Sequence, residues 1–215
     1  ADSMVDWHLL DRYRSELLEW LAFDYDACCP SSASSLPQPD ESVFHFRNFV
    51  TELQGATSAL GFDELSASRT ATELFGHLQA GDKVAITTRF ENNPVTQDYV
   101  QAMEQGRGLQ VRVISGNSAT EDFCFLAKTK KELVGGQRSS FFTWAAYLGI
   151  ASPSSSSSKT EGIQRVRSYS VNPPAQHQTS SKNSLQIPYT WNDQQLKDRW
   201  TFEVYQTTTQ KTNNQ

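Results

Sequence analysis

Several familiar chemistries leave no signature in this chain. There is no G-x-x-x-x-G-K-[ST], no G-x-G-x-x-G after a strand-like run, no G-x-S-x-G elbow and no H-E-x-x-H. Those omissions argue against Walker-type phosphate loops, the glycine fingerprint of dinucleotide enzymes, α/β-hydrolase nucleophiles and zinc peptidases. Cysteine is scarce. Cys28 and Cys29 are adjacent and Cys124 is remote, so three cysteines outline no disulfide framework and no C-x-x-C metal site. They are expected to be reduced, partly buried thiols. No N-x-[ST] sequon occurs, and no apolar run is long enough for a membrane span. The opening stretch ADSMVDWHLLDRYRSELLEW is too charged for a signal peptide, and the lack of an initial Met suggests a fragment. Clustered base is also missing. With 19 Lys and Arg against 24 Asp and Glu, the net charge is -5, which disfavours nucleic acid as a partner.

What is present is a rhythm. Residues 4–23 carry Leu9, Leu10, Tyr13, Leu17, Leu18 and Leu21 at helical spacing. After the polar loop PSSASSLPQPDE, strand-like runs alternate with helical ones. SVFHFRNFV, DKVAITTRF, LQVRVIS and KELVGG read as strands. SASRTATELFGHLQAG reads as a serine-capped helix closing near Gly81, and PVTQDYVQAMEQG as a helix ending before Gly106. Ser118 and Glu121 fit a capping box for the helix TEDFCFLAKT, and SSFFTWAAYLG opens another. RVRSYSV reads as a last strand. The spacing of Leu196, Trp200 and Val204 predicts a terminal helix within residues 191–206.

Strands alternating with helices predict an α/β fold, a Rossmann-like parallel sheet flanked by helices. The chain divides into four segments: residues 1–41, a helix and polar loop read as the remnant of an upstream domain; 42–151, the Rossmann-like domain; 152–187, a Ser-rich flexible segment with a last strand; and 188–215, a docking helix and disordered tail.

A parallel sheet brings the residues at the carboxyl ends of its strands to one edge. That edge would hold His45 and Arg47, then Thr87, Thr88 and Arg89, then Ser115, Gly116, Asn117, Glu121 and Asp122, then Gly136, Arg138, Ser139 and Ser140. Arginine forks, hydroxyls and helix N-termini suit phosphate oxygens. Each residue also has a plainer role. Glu121 and Asp122 suit a helix dipole, Ser139 or Ser140 a cap, His45 a core position, and Phe141, Phe142, Trp144 and Tyr147 helix-face packing.

The block SSFFTWAAYL, residues 139–148, resembles the S-T-F-S-W-W-A-A-Y-L block of α-1,2-fucosyltransferases and their relatives. EDFCFLAKTKKELVGG resembles the pattern preceding it, and VFHFRNF is similar to the family's H-x-R-R-G-D strand end. The order HFRNF, EDF, RSS is also similar to an arrangement in algal, diatom-type proteins. The resemblance implies the donor-binding half of a GT-B glycosyltransferase, binding GDP-fucose without a metal or other cofactor and acting on a glycan acceptor. By that resemblance Arg47 bridges the diphosphate, His45 stands beside it, Asp122 holds the guanosine end, and Ser139, Ser140 and Phe141 meet the phosphates. Arg89 and Arg138 join the donor set by position alone. Glu91 is the candidate base and Arg47 the other catalytic candidate. Asn48, Phe49 and Val50 replace the family's second Arg, Gly and Asp, and Thr143 replaces one of its paired tryptophans. A non-catalytic nucleotide- or glycan-binding module is therefore the alternative. The resemblance implies a Golgi or secretory location, with the cytoplasm as the alternative.

Overall fold

The computed structural model describes residues 36–45, 65–88, 94–136, 139–151, 162–172 and 198–206, together with residues 12, 13 and 16. Strand β1 is Glu41–His45, β2 is Lys83–Thr87, β3 is Gln110–Ile114, β4 is Glu132–Gly136, β5 is Arg165–Asn172 and β6 is Trp200–Gln206. Helix α1 begins as Ala67–Arg69 and continues as a π-turn over Thr70–Leu74; α2 is Pro94–Arg107, α3 is Ala119–Ala127 and α4 is Ser140–Ala151.

The six strands form one sheet in the order β3-β2-β1-β4-β5-β6, with every pairing parallel. This is the doubly wound Rossmann order. Side chains alternate between the faces because a strand repeats every two residues. Val43, Ala85, Leu133 and Val166 pack with α3 and α4. Phe44, Val84, Ile86 and Val134 pack with α1 and α2. Both faces are covered, so the strands read as near-continuous apolar runs.

Helix α1 has the expected serine cap, with Ser66 accepting from the Arg69 N–H. It stops at Leu74 rather than near Gly81, because its last turns widen and the Phe75 N–H reaches back to the Thr70 carbonyl at 2.9 Å. Helix α2 runs through Gly106 and ends at Arg107. The terminator is Gly108, at φ 68°, in the left-handed region that glycine enters without a Cβ clash. The capping box of α3 is present as expected, with Ser118 and Glu121 bonding reciprocally.

Two further expectations fail. The docking helix read within 191–206 is instead strand β6, paired along its length with β5. The four-residue spacing there also satisfies alternation: Trp200 and Phe202 face α4, while Glu203 and Tyr205 face the other way. Long-range pairing then overrides the helical reading. RVRSYSV is accordingly the fifth strand and not the last. Cys124, expected as a reduced thiol, is disulfide-bonded. Linear spacing hides such a bond because the partner is brought near only by the fold.

Candidate functional site

Strands β1 and β4 are neighbours at the centre of the sheet, yet the helices after β2 and β4 lie on opposite faces. Their carboxyl ends thus border the crevice where ligands of open α/β sheets bind. His45 closes β1 there and is half-buried. Its Nδ1 lies 3.2 Å from the Thr87 hydroxyl at the end of β2. That hydroxyl points toward the Phe44 carbonyl at 3.5 Å, so it is best placed to accept from His45 Nδ1–H. On the other side the imidazole lies parallel to the Phe142 ring, 3° between planes and 6.5 Å between centroids, with Phe141 5.7 Å away.

Helix α4 reaches this close because β4 ends in glycine. A Cβ at Gly135 would sit 2.4 Å from the Phe142 ring. Gly135 therefore allows the first turn of α4 to press against the strand that carries it. Ser139 caps that turn: its Oγ accepts from the Phe142 N–H at 3.2 Å, and its carbonyl accepts from both the Thr143 N–H and hydroxyl. The cap reading of Ser139 is thus realised. Ser140, the first helical residue, is exposed. Among the described residues no hydrogen bond satisfies the N–H of Ser140 or Phe141. Both belong to the positive end of the helix dipole.

Helix α3 supplies the next wall. Phe123 meets Phe141 edge to face at 5.4 Å. Asp122 beside it accepts from Asn117 Nδ2 at 3.1 Å. Burial pushes the Asp122 carboxyl above its ordinary value, the Asn117 hydrogen bond offsets part of that, and the neighbouring Glu121 charge adds to it. Glu121 is held below its ordinary value by the Ser118 backbone and hydroxyl bonds. Glu121 is thus the plain capping residue, whereas Asp122 is a half-buried carboxylate near the crevice, and no cation among the described residues pairs with it.

Of the residues expected to form the site, the structure brings His45, Ser139, Ser140 and Phe141 together at the end of β1 and β4, with Asp122 adjoining through Phe123. Arg47, Arg89, Glu91 and Arg138 lie outside the described residues. Sequence reading assigns no role to Phe123 or Gly135, and it places Asn117 at this edge by position alone. A glycine pair ending a strand before an aromatic helix start is the one local sign of the close approach at Gly135.

Among the described residues no group of three His, Cys, Asp or Glu side chains could hold a metal ion, and no helix is long and apolar enough to cross a membrane. An open groove of about 500 Å³ lies between α1 and α2, lined in part by Ala67, Ala71, Ala102 and Gly106; it arises from small side chains and lies apart from the crevice. Comparison with known proteins finds no matching family model, no matching curated protein and no matching solved structure.

Proposed function

We propose that this chain binds a nucleoside diphosphate at the carboxyl edge of β1 and β4, and that it serves as the donor-binding domain of a fucosyltransferase-like enzyme that moves a sugar from a GDP donor to a glycan hydroxyl. The observation that carries the first part is the crevice itself. A helix start with two unused N–H groups stands beside a strand-end histidine at the switch point of a doubly wound sheet. Such donors suit the charge that gathers on a departing diphosphate. Phe141 and Phe123 offer an apolar wall, and Asp122 can accept from an amino or hydroxyl group of the nucleoside. The choice of GDP and fucose rests on the resemblance of residues 139–148. Arg47 and Glu91 keep their proposed roles at the diphosphate and as base.

A binding module without turnover is the second reading, since Asn48, Phe49 and Val50 stand where the family it resembles has its second Arg, Gly and Asp. A disulfide at Cys124 is in keeping with the secretory location, because such bonds persist in oxidising compartments.

The test is calorimetric titration of the chain with GDP, ADP and UDP, repeated on Arg47→Ala and Ser140→Pro. Proline is tolerated at the first helical position, so the second change deletes one N–H while leaving the helix intact. The reading expects GDP to bind best and both variants to weaken it about tenfold, as for one charge-assisted hydrogen bond. Binding indifferent to Ser140→Pro would remove the helix start from the site. Sugar transfer from GDP-fucose to a glycan, measured on the same protein, separates the enzyme from the module.

A further inference from the structure

Strands β5 and β6 outrun the rest of the sheet. β1 ends at His45, opposite Gly135, and β4 ends at Gly136, opposite Tyr169. β5 continues through Ser170, Val171 and Asn172, paired with Val204, Tyr205 and Gln206 of β6. With a rise of about 3.3 Å per residue, this ribbon stands roughly 10 Å beyond the end of β4, on the border of the crevice. Alternation along the strand sets which way Ser170 faces. Val166 packs with α4, Ser168 accepts from Trp200 Nε1 at 2.7 Å, and Trp200 meets the Phe142 ring edge to face. Tyr169 faces the other way, toward Phe44. Ser170 therefore lies on the α4 side, one row out from Ser168. Gly135, opposite Ser168, lies under the Phe142 ring. Helix α4 returns antiparallel to the two parallel strands it joins, so Ser140 and Phe141, ahead of Phe142, stand toward that same outer row.

The two serines on this side of β5 differ. The Ser168 hydroxyl is used by the fold, through Trp200. Ser170 is only 8% exposed, yet no hydrogen bond engages its hydroxyl among the described residues. Burying a hydroxyl without a partner costs stability, so packing alone gives no reason for a serine there. The unbonded N–H groups of Ser140 and Phe141 open toward the same edge. We propose that Ser170 binds the distal phosphate of the nucleotide, its Oγ–H donating to a phosphate oxygen at the start of α4. This placement rests on a nucleoside diphosphate occupying the crevice. The order of the elements sets its direction. β5 lies on one side of β4, and β1, β2 and β3 lie on the other. Helix α3 follows β3, and its start, with Asp122 and Phe123, borders Phe141 from that other side. A nucleoside held by Asp122 thus sets its first phosphate at the Ser140 and Phe141 N–H groups and its second toward Ser170.

The experiment is calorimetric titration of the full chain and of Ser170→Ala with GDP and with GMP, beside thermal unfolding of both proteins. GMP lacks the distal phosphate. The variant should bind GDP about tenfold more weakly, as for one lost hydrogen bond to a charged oxygen, and should bind GMP as tightly as wild type does. Its Tm should hold or rise, because the deleted hydroxyl has no partner among the described residues. An equal loss for GDP and GMP overturns the distal placement. GDP binding unchanged in the variant overturns the role of Ser170 and leaves the nucleotide reading standing. A lower Tm overturns that role as well, since it ties the hydroxyl to the fold. If wild type binds neither nucleotide, the nucleotide reading itself falls and takes this placement with it.

Discussion

In the amino half of the sheet Glu41, Arg112, Glu132, Arg167 and Glu203 are held in ion pairs, whereas at the carboxyl edge His45, Thr87, Asn117, Asp122 and Ser139 are joined by single hydrogen bonds. Glu41 is almost fully buried on the α3 side and forms a two-pronged pair with Arg112, at 2.7 Å on both oxygens. Arg112 also lies over the Phe125 ring. On the α1 side Arg167 grips Glu203 at 2.6 and 2.7 Å and donates to the Leu74 carbonyl. It also meets His77 Nδ1 at 3.2 Å. A guanidinium has only donors, so His77 Nδ1 must accept, and His77 Nε2–H donates to Glu132 at 3.0 Å. The amino half spends its charges on closing the fold. The carboxyl edge keeps polar groups that a ligand could still use.

Removing Arg167 should break the comparison most sharply. Arg167→Met leaves Glu203 without its main cation and the buried Glu132 without one of its two nearby arginines, and stability should fall by about 3 kcal/mol in urea unfolding. Nucleotide affinity of the folded fraction should stay the same, since the network lies away from the crevice. Burial pushes the Glu203 carboxyl up, but the bonds from Arg167 and Tyr205 outweigh it and hold the group below its ordinary value. Its contribution is therefore complete above the ordinary glutamate value and is lost as pH falls through the lowered one. The stability gap between wild type and Arg167→Met should narrow in that acid range. A gap that does not change with acid would show that Glu203 adds nothing through this pair.

Gly135→Ala comes next, because it touches both halves of the argument. The new methyl would meet the buried Phe142 ring, and overpacking of this kind costs about 2 kcal/mol. Pushing α4 off the strand also moves Phe142 away from His45 and shifts the Ser140 and Phe141 N–H groups. Stability and nucleotide affinity should fall together. Loss of stability with intact affinity would mean that the close approach serves packing alone.

The layout is more fully legible in the sequence than the site is. Alternating runs expose β1 to β5 and the four helices described above, since each carries its own period and most carry a cap, as Ser66 and Ser118 do. Strand β6 is the exception because WTFEVYQ fits two periods, and only pairing with β5 decides between them. The carboxyl-edge residues are legible because a parallel sheet collects them wherever they fall in the chain. The charge networks are not. Glu41 and Arg112 stand 71 residues apart, one before an apolar run and the other in the middle of one, and nothing local says that they meet.

Ser139 tests how far the cap and the ligand readings overlap. Ser139→Ala should cost about 1 kcal/mol of stability and Ser139→Gly only a few tenths, as for an N-cap whose oxygen meets the Phe142 N–H. If the hydroxyl serves only as a cap, nucleotide affinity should hold in both variants under conditions where each is fully folded. An affinity loss of about tenfold in the more stable Gly variant would show the hydroxyl reaching the ligand as well.

Asp122→Asn should have the smallest effect on stability, and in the opposite direction. The folded protein binds the Asp122 proton more tightly than the unfolded chain does, because burial raises the carboxyl above its ordinary value. The stabilisation that comes with that proton is complete below the ordinary aspartate value and is lost as pH rises through the raised one. At neutral pH the wild-type protein carries a half-buried charge that asparagine lacks, while asparagine Oδ1 can still accept from Asn117. Thermal unfolding should therefore find Asp122→Asn slightly more stable than wild type at pH 7, with the difference vanishing in acid. Nucleotide affinity at pH 7 should fall if the charge is kept for a ligand. A variant that gains stability and loses binding would mark the carboxyl edge as built for recognition at the expense of the fold, the reverse of the Arg167 network. A variant that changes neither would return Asp122 to the plain role of a residue in the first turns of a helix.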